Sequence, residues 1–246
     1  MPAIAPADCR PHFLDGMIRS NNMISQLDCP IWFALAHRQR EFARGDERAV
    51  AYRTDVEPFA AVRDCSPESL EAVAALCPED DLIAFIQKEP VPPLPGLKLV
   101  RAEVGVQMIA ATSFSAERPA DVVMLDDADA PEMLELALLT QPGPFRTATH
   151  RLGQFWGIRR SGRLVAMAGE RMKLEGMTEV SGVCTHPDWR GSGLAAQLST
   201  YVAALIQARG ETPFLHAFAT NKRAIKLYER LGFELRSEVA FQAFAH

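Results

Sequence analysis

One stretch of the chain concentrates residues able to hold a large anion: Val183-Cys184-Thr185-His186-Pro187-Asp188-Trp189-Arg190-Gly191-Ser192-Gly193-Leu194-Ala195. An apolar run from Glu179 to Thr185 reads as a strand, His186 to Arg190 as a turn built on Pro187, and the residues that follow as an amphipathic helix. Two glycines at a helix start let backbone N–H groups approach a bulky anion, because no Cβ stands between them. The positive end of the helix dipole favours that anion by roughly 0.3–1 kcal/mol. Arg190 adds a full charge just ahead of the glycines. The residues Arg190, Gly191, Ser192, Gly193, Leu194 and Ala195 therefore read as a diphosphate cradle. The alternative is a surface cation followed by a plain glycine turn.

Two familiar cradles do not fit. No Gly-Lys-Ser/Thr follows, so the segment is not a P-loop. The run Gly191 to Ala196 matches the loose dinucleotide fingerprint G-x-G-x-x-G/A, but His186 to Arg190 separate its first glycine from the strand. Glu211 also lies before the next strand rather than closing it.

Arg190-x-x-Gly193-x-Ala195 after a strand end resembles the acyl-CoA loop of the GCN5-related N-acetyltransferase (GNAT) family. About thirty residues on, Asn221-x-x-Ala224-x-x-x-Tyr228-x-x-x-Gly232-Phe233 resembles the family's helix-plus-strand signature. Both halves occur in order, and the wording from Cys184 to Gly191 is closest to the FR47-like branch. The resemblance spans roughly Asp121 to His246.

The resemblance implies an α/β (α+β) fold with a mixed, mostly antiparallel sheet flanked by helices. It implies transfer of acetyl from acetyl-CoA to a primary amine by direct attack in a ternary complex. Backbone groups of Val183, Cys184 and Thr185 would pair with the pantetheine arm, and the N–H of Val183 would meet the oxyanion. Tyr228 resembles the tyrosine that serves the departing sulfur. Asn221, two helical turns earlier on the same side, would cap the helix and touch the pantetheine. Glu179 stands where some members carry a general base, with Glu170 as its rival. Strand alternation places Glu179, Ser181 and Val183 on one face. Phe145 and Arg146 follow the first helix of this half, where the family builds its acceptor pocket. Each has a plainer reading: a core tyrosine, an ordinary N-cap, a solvated carboxylate, packing residues. Outside this reaction stand an acyl-CoA-binding sensor without turnover and transfer of a larger acyl group or to an oxygen.

Composition narrows the partners. The chain has 246 residues, enough for two modest domains, and a hydrophobic content of 48%. A net charge of −5 offers nothing to nucleic acid or an anionic membrane. No apolar run approaches the length of a membrane span, and Met1 to Gly16 carries no apolar signal-peptide core. Five cysteines without C-x-x-C spacing read as a reduced, cytoplasmic chain without structural zinc. Cys184, His186 and His216 are weak candidates for a metal, and none is expected. The acceptor would be a small-molecule or peptide amine.

The elements divide at two proline-rich breaks, Glu89 to Gly96 and Ala116 to Pro119. Residues 1–115 read as an N-terminal α/β domain and 116–246 as the acetyltransferase domain. The first half carries helices over Ile31 to Ala43 and Pro67 to Leu76, the latter capped by Ser66, and strands over Ala49 to Arg53, Phe59 to Arg63, Leu82 to Gln87 and Leu97 to Ala111. It holds no assignable motif, and is read as a degenerate copy of the second half, shaping the acceptor side or a homodimer interface. The second half reads as strand Val122 to Leu125, helix Ala130 to Thr140, a hairpin around Ser161-Gly162, strand Thr178 to Thr185, helix Gly191 to Arg209, strand Phe214 to Ala219, helix Lys222 to Leu231, and strands Phe233 to Arg236 and Val239 to Phe244.

Overall fold

The computed structural model describes residues 26–115 and 117–246. The reading of Met1 to Gly16 falls outside them. In chain order the elements are α1 (Pro30–Ala36), β1 (Ala43–Gly45), β2 (Ala49–Tyr52), β3 (Ala60–Val62), α2 (Pro67–Ala74), β4 (Ile83–Gln87), β5 (Lys98–Ala110), β6 (Val122–Leu125), α3 (Ala130–Thr140), β7 (Phe155–Arg160), β8 (Arg163–Leu174), β9 (Met177–Thr185), α4 (Leu194–Ala208), β10 (Thr212–Phe218), α5 (Lys222–Leu231) and β11 (Phe233–Ala245). An eight-stranded sheet runs in the order β4-β11-β5-β10-β9-β8-β7-β6. Every neighbouring pair is antiparallel except β9 with β10. This is the mixed, mostly antiparallel sheet that the sequence predicts.

The apolar faces of α4 and α5 cover one side of the sheet. Leu198, Val202 and Ile206 pack on Val106, Ile158, Val165, Val180 and Leu215. On the other side α1 places Ile31 and Leu35 against Tyr52, Phe59, Met172, Phe214 and Phe241. There α3 places Met133, Leu136 and Ala137 against Phe155 and Met167. A small antiparallel sheet, β1-β2-β3, packs with α2 into its own core around Val73, Phe85 and Phe244.

The sheet crosses the proposed domain boundary. Strand β5, from the first half, lies between β10 and β11 and pairs with β11 from Phe233↔Ala110 to Ala245↔Lys98. Position 115 lies in the connection between β5 and β6, two strands of one hydrogen-bonded sheet. The first half thus supplies a small three-stranded sheet and two strands of the large one.

Several local expectations shift. The helix over Ile31 to Ala43 stops at Ala36, because the chain turns to bury Gln39. Its Nε2 donates to Arg171 O at 2.6 Å, and its Oε1 accepts from Tyr52 at 2.7 Å. The two final strands are one strand, β11, with a register shift between Leu235 and Ser237. Ser66 caps α2 as predicted, accepting from Ser69 N at 3.3 Å. Just ahead of α3, the Asp129 carboxylate accepts from Asp126 N and Arg159 and makes no side-chain cap bond to the helix. Cys29, Cys77 and Cys184 are free thiols, whereas Cys65 is disulfide-bonded, a departure from the expected all-reduced set.

Glu57 sits in the joint between the small sheet and the large one. It is 1% exposed, and neither carboxyl oxygen has a hydrogen-bond partner. Burial pushes its carboxyl up to about 8; Arg171 opposes the rise and Glu179 reinforces it. The unfolded carboxyl releases its proton near the ordinary value of about 4.3. Across the interval the folded state binds the proton and the unfolded state does not, so stability falls as pH rises from about 4.5 to about 8. Glu57→Gln abolishes that fall. Its melting temperature is expected to pull ahead of the wild type between about pH 5 and pH 9, by a difference on the order of 4 kcal/mol at the alkaline end. Parallel pH profiles for the two proteins would contradict this.

Candidate active site

The site opens where two strands part. β9 and β10 pair only from Thr212↔Met177 to Phe214↔Glu179. Beyond that point β9 runs on to Thr185 and β10 to Phe218 with no pairing to each other. The cause lies in β9. Its register on β8 slips between Gly169↔Ser181 and Met167↔Cys184, so Gly182 and Val183 together face Ala168. Gly182 takes φ +61, and a Cβ there would lie 2.7 Å from the Phe155 ring. A bulge of this kind bends the strand and frees backbone groups from the ladder. The parted segments, Val183–Thr185 and His216–Phe218, border a cleft of ≈ 570 Å³. Exposed strand backbone on both sides suits an extended, amide-bearing chain laid in as an added strand.

An anion site closes one end of the cleft. Gly191 and Gly193 take φ 86 and 84, conformations that cost a side-chain-bearing residue free energy. No heavy atom comes within 4 Å of where a Cβ would sit on either glycine, so the approach is open. Gly193 is the N-cap of α4 and brings no capping side chain. The first-turn N–H groups of the helix are left for a ligand. Ser192 braces the loop by donating to Trp189 O. Arg190 lines the cleft, joined by Arg223 and Arg230 from α5. None of the three arginines is in an ion pair among the described residues. Three cations around an uncapped helix start match a polyphosphate.

Tyr228, on α5, lines both this cleft and a smaller adjoining cavity. It packs edge-on against Phe233, with ring centroids 6.1 Å apart. Burial pushes its phenol up, and Cys184 and Glu179 push the same way. The hydroxyl therefore keeps its proton. Asn221 borders the cleft and caps α5, its Oδ1 accepting from Ala224 N at 3.1 Å. Leu194 and Ala195 line the cleft as well. Cys184 lends it only backbone, because its side chain belongs to the core under α3. Burial raises that thiol to about 12, which removes it as a nucleophile.

The smaller cavity, ≈ 70 Å³, shares Val183, His216, Ala217, Phe218 and Tyr228 with the cleft. Its other walls include Phe59, Ile86, Phe241, Arg171 and the strand segment Val180 to Gly182, with the loop Pro142 to Pro144. Behind it lies Glu179, fully buried. Arg171 donates to it through Nε and Nη2, both at 2.8 Å. The His216 Nδ1 lies 2.8 Å from the same carboxylate. Burial alone would raise Glu179; the charge and hydrogen bonds of Arg171, with His216, outweigh it and hold the carboxyl at about 2. Gln107 fixes the imidazole tautomer. Its Nε2 donates to Leu27 O at 2.9 Å and its Oε1 accepts from Arg236 at 2.9 Å. The same Nε2 faces His216 Nε2 at 2.9 Å, so the imidazole accepts there and carries its proton on Nδ1.

These contacts revise several placements. The bulge at Gly182 inserts one residue, so Val183 packs with Val180 on the α4 side, opposite Glu179, rather than sharing its face. Glu170 is buried and paired with Arg209 at 2.8 Å and Lys173 at 3.2 Å; it lines neither cavity. Arg146 is spent on Asp81 and on Thr54 O, both at 2.6 Å. Phe145 packs edge-on against Phe155 in the α3 core. Their neighbours Pro142, Gly143 and Pro144 are the ones that reach the cavity. The sequence reading passed over Arg171, Gln107 and Arg230, and took His216 only as a metal candidate. Gln107, Arg171 and His216 do carry a signal: a polar side chain inside an apolar strand must find partners when buried. Among the described residues no cluster of three or more His, Cys, Asp or Glu could hold a metal ion. No helix among them is long and apolar enough to cross a membrane.

The comparisons agree with this geometry. The family model described as FR47-like protein matches residues 155–241. The crystal structure of a GNAT-family protein from Novosphingobium aromaticivorans is 41% identical, with a TM-score of 0.84, over 89% of this chain and 97% of the other. A GCN5-related N-acetyltransferase from Kribbella flavida shares the fold at 21% identity and a TM-score of 0.56, over 93% of this chain and 96% of its own. No curated protein is significantly similar to the chain. The chain belongs to the GCN5-related N-acetyltransferase family and is by class an acyl-CoA-dependent acetyltransferase.

The buried ion pair is testable. Arg171→Met leaves Glu179 charged, desolvated and short of its main partner, a loss of roughly 3–5 kcal/mol. Denaturant unfolding should show that loss, and the double change Arg171→Met with Glu179→Leu should recover most of it. A single variant as stable as the wild type would remove the pair as a structural node.

Proposed function

We propose that the protein moves the acetyl group of acetyl-CoA to a primary amine by direct attack in a ternary complex. The observation that carries this reading is the parting of β9 from β10, with an uncapped helix start at one end of the opening and Tyr228 at the other. Arg190 and the N–H groups from Gly191 to Ala195 hold the diphosphate, and Arg223 and Arg230 add to the positive field. Backbone groups of Val183 and Thr185 take the pantetheine amides, with Cys184 between them and Asn221 at the rim.

The amine enters through the smaller cavity, which meets the cleft at Val183 and Tyr228. Its nitrogen forms a bond to the thioester carbon while the Val183 N–H receives the oxyanion. The C–S bond then breaks, Tyr228 gives its proton to the thiolate, and the proton released by the amide nitrogen restores the tyrosine. No Asp or Glu lines the cavity, so the ammonium proton leaves to solvent before attack. Glu179 then acts at one remove: it orients His216 and Arg171 rather than accepting the proton itself.

Melting with saturating acetyl-CoA tests the cradle. At about 100 times its dissociation constant a ligand stabilises by roughly 2.7 kcal/mol, on the order of 5–10 °C for a chain of this size. Tyr228→Phe should keep that shift and lose roughly 10²–10⁴ in kcat. Arg190→Ala, a change at an exposed side chain, should shrink the shift while unfolding close to the wild-type temperature without ligand. Stabilisation by acetyl-CoA with no acetylation of any amine would favour a sensor. Full turnover by Tyr228→Phe would remove it as the acid.

A further inference from the structure

The chemistry that surrounds the smaller cavity discriminates among amines. Its walls include the guanidinium of Arg171 and the imidazole of His216, but no Asp or Glu. The nearest carboxylate behind them, Glu179, is already neutralised by Arg171. Glu57, the other buried acid of this region, keeps its proton to about 8. Most of the other walls are apolar, Phe59, Ile86, Phe218 and Phe241 among them, with the neutral hydroxyl residues Ser181 and Tyr228. A second ammonium, such as a polyamine carries, would be desolvated here and would meet no carboxylate on the cavity surface.

Arg101 offers the opposite match. It is exposed on β5, and its guanidinium carbon lies 4.9 Å from the Phe218 ring centroid and 5.3 Å from that of Phe241. Both rings are cavity walls, so the stack fixes the guanidinium beside that aromatic wall. Its Nε is ion-paired with the Glu103 carboxylate, while Nη1 and Nη2 make no hydrogen bond among the described residues. Two free donors in a planar fork fit a carboxylate.

Resting on the acetyl-transfer reading, we propose that the acceptor is a compact amino acid-type amine, with its nitrogen toward Val183 and Tyr228 and its carboxylate on Arg101. Arg101 is then the residue that selects the acceptor, and the first half of the chain supplies it together with Phe59 and Ile86.

The test is acetylation kinetics on a panel of amino acids, their carboxamides and simple diamines, with acetyl-CoA binding followed separately by calorimetry. The acids should exceed their own amides by about tenfold or more in kcat/KM. Arg101→Gln should erase that margin through KM for the acid rather than kcat, and Arg101→Glu should turn the preference toward amides and diamines. Amides or diamines that match the acids, or an Arg101→Gln enzyme that keeps the margin, would overturn the assignment while leaving acetyl transfer standing. No acetylation of any amine, with acetyl-CoA still bound, would overturn both.

Discussion

The site depends on one local constraint, the bulge at Gly182. Without it β9 and β10 would continue as a regular parallel pair, and their backbone groups would satisfy each other. The left-handed φ at Gly182 and the proximity of Phe155 make this a position for glycine. Every other part of the site is arranged around the opening that follows. The uncapped start of α4 lies at the end of β9, because the 3-10 turn Pro187–Trp189 and the two glycines redirect the chain there. Tyr228 comes from α5, which packs on the same face as α4. The cavity on the opposite face joins the cleft at the bulge itself.

A parted sheet needs reinforcement elsewhere. The long ladder of β5 with β11, and of β5 with β10, supplies it. It does so with a strand from the first half of the chain, which is why the two halves share one sheet. Around the parting point the buried charges form a connected set: Arg171 on Glu179, Glu179 on His216, His216 on Gln107, Gln107 on Arg236, and Arg236 on Asp28. Such a chain holds side chains in one orientation because each member would be costly if left unpaired. The strands β5, β8, β9, β10 and β11 are thereby tied where the backbone ladder ends.

The same arrangement divides the work between the halves. Residues after 116 build the cleft that suits a polyphosphate and an extended amide chain. Residues before it, Phe59, Ile86 and Gly105, line the cavity where a second substrate would enter. The face with the phosphate-type cradle is rich in arginine, and the cavity face is largely apolar with Arg171 in its wall. Neither half holds a complete site.

The sequence by itself determined the parts governed by local rules. Glycine spacing, Pro187 and the helix periodicity located the cradle from Arg190 to Ala195. Asn221 and Tyr228 could be placed on one side of α5, because a helix fixes their relation through its own hydrogen bonds. The strands of the second half were legible from apolar runs set between turn signals. Only the tertiary structure decided what depends on contacts between distant residues. It joined β5 to the sheet of the second half, and it buried Glu179 against Arg171 and His216. It also turned Val183 to the face opposite Glu179 through a bulge that strict alternation does not reveal. Arg146 was spent on Asp81, and Glu170 on Arg209. A carboxylate's role is set by its burial and by the charges that reach it, and those come from parts of the chain far away in sequence.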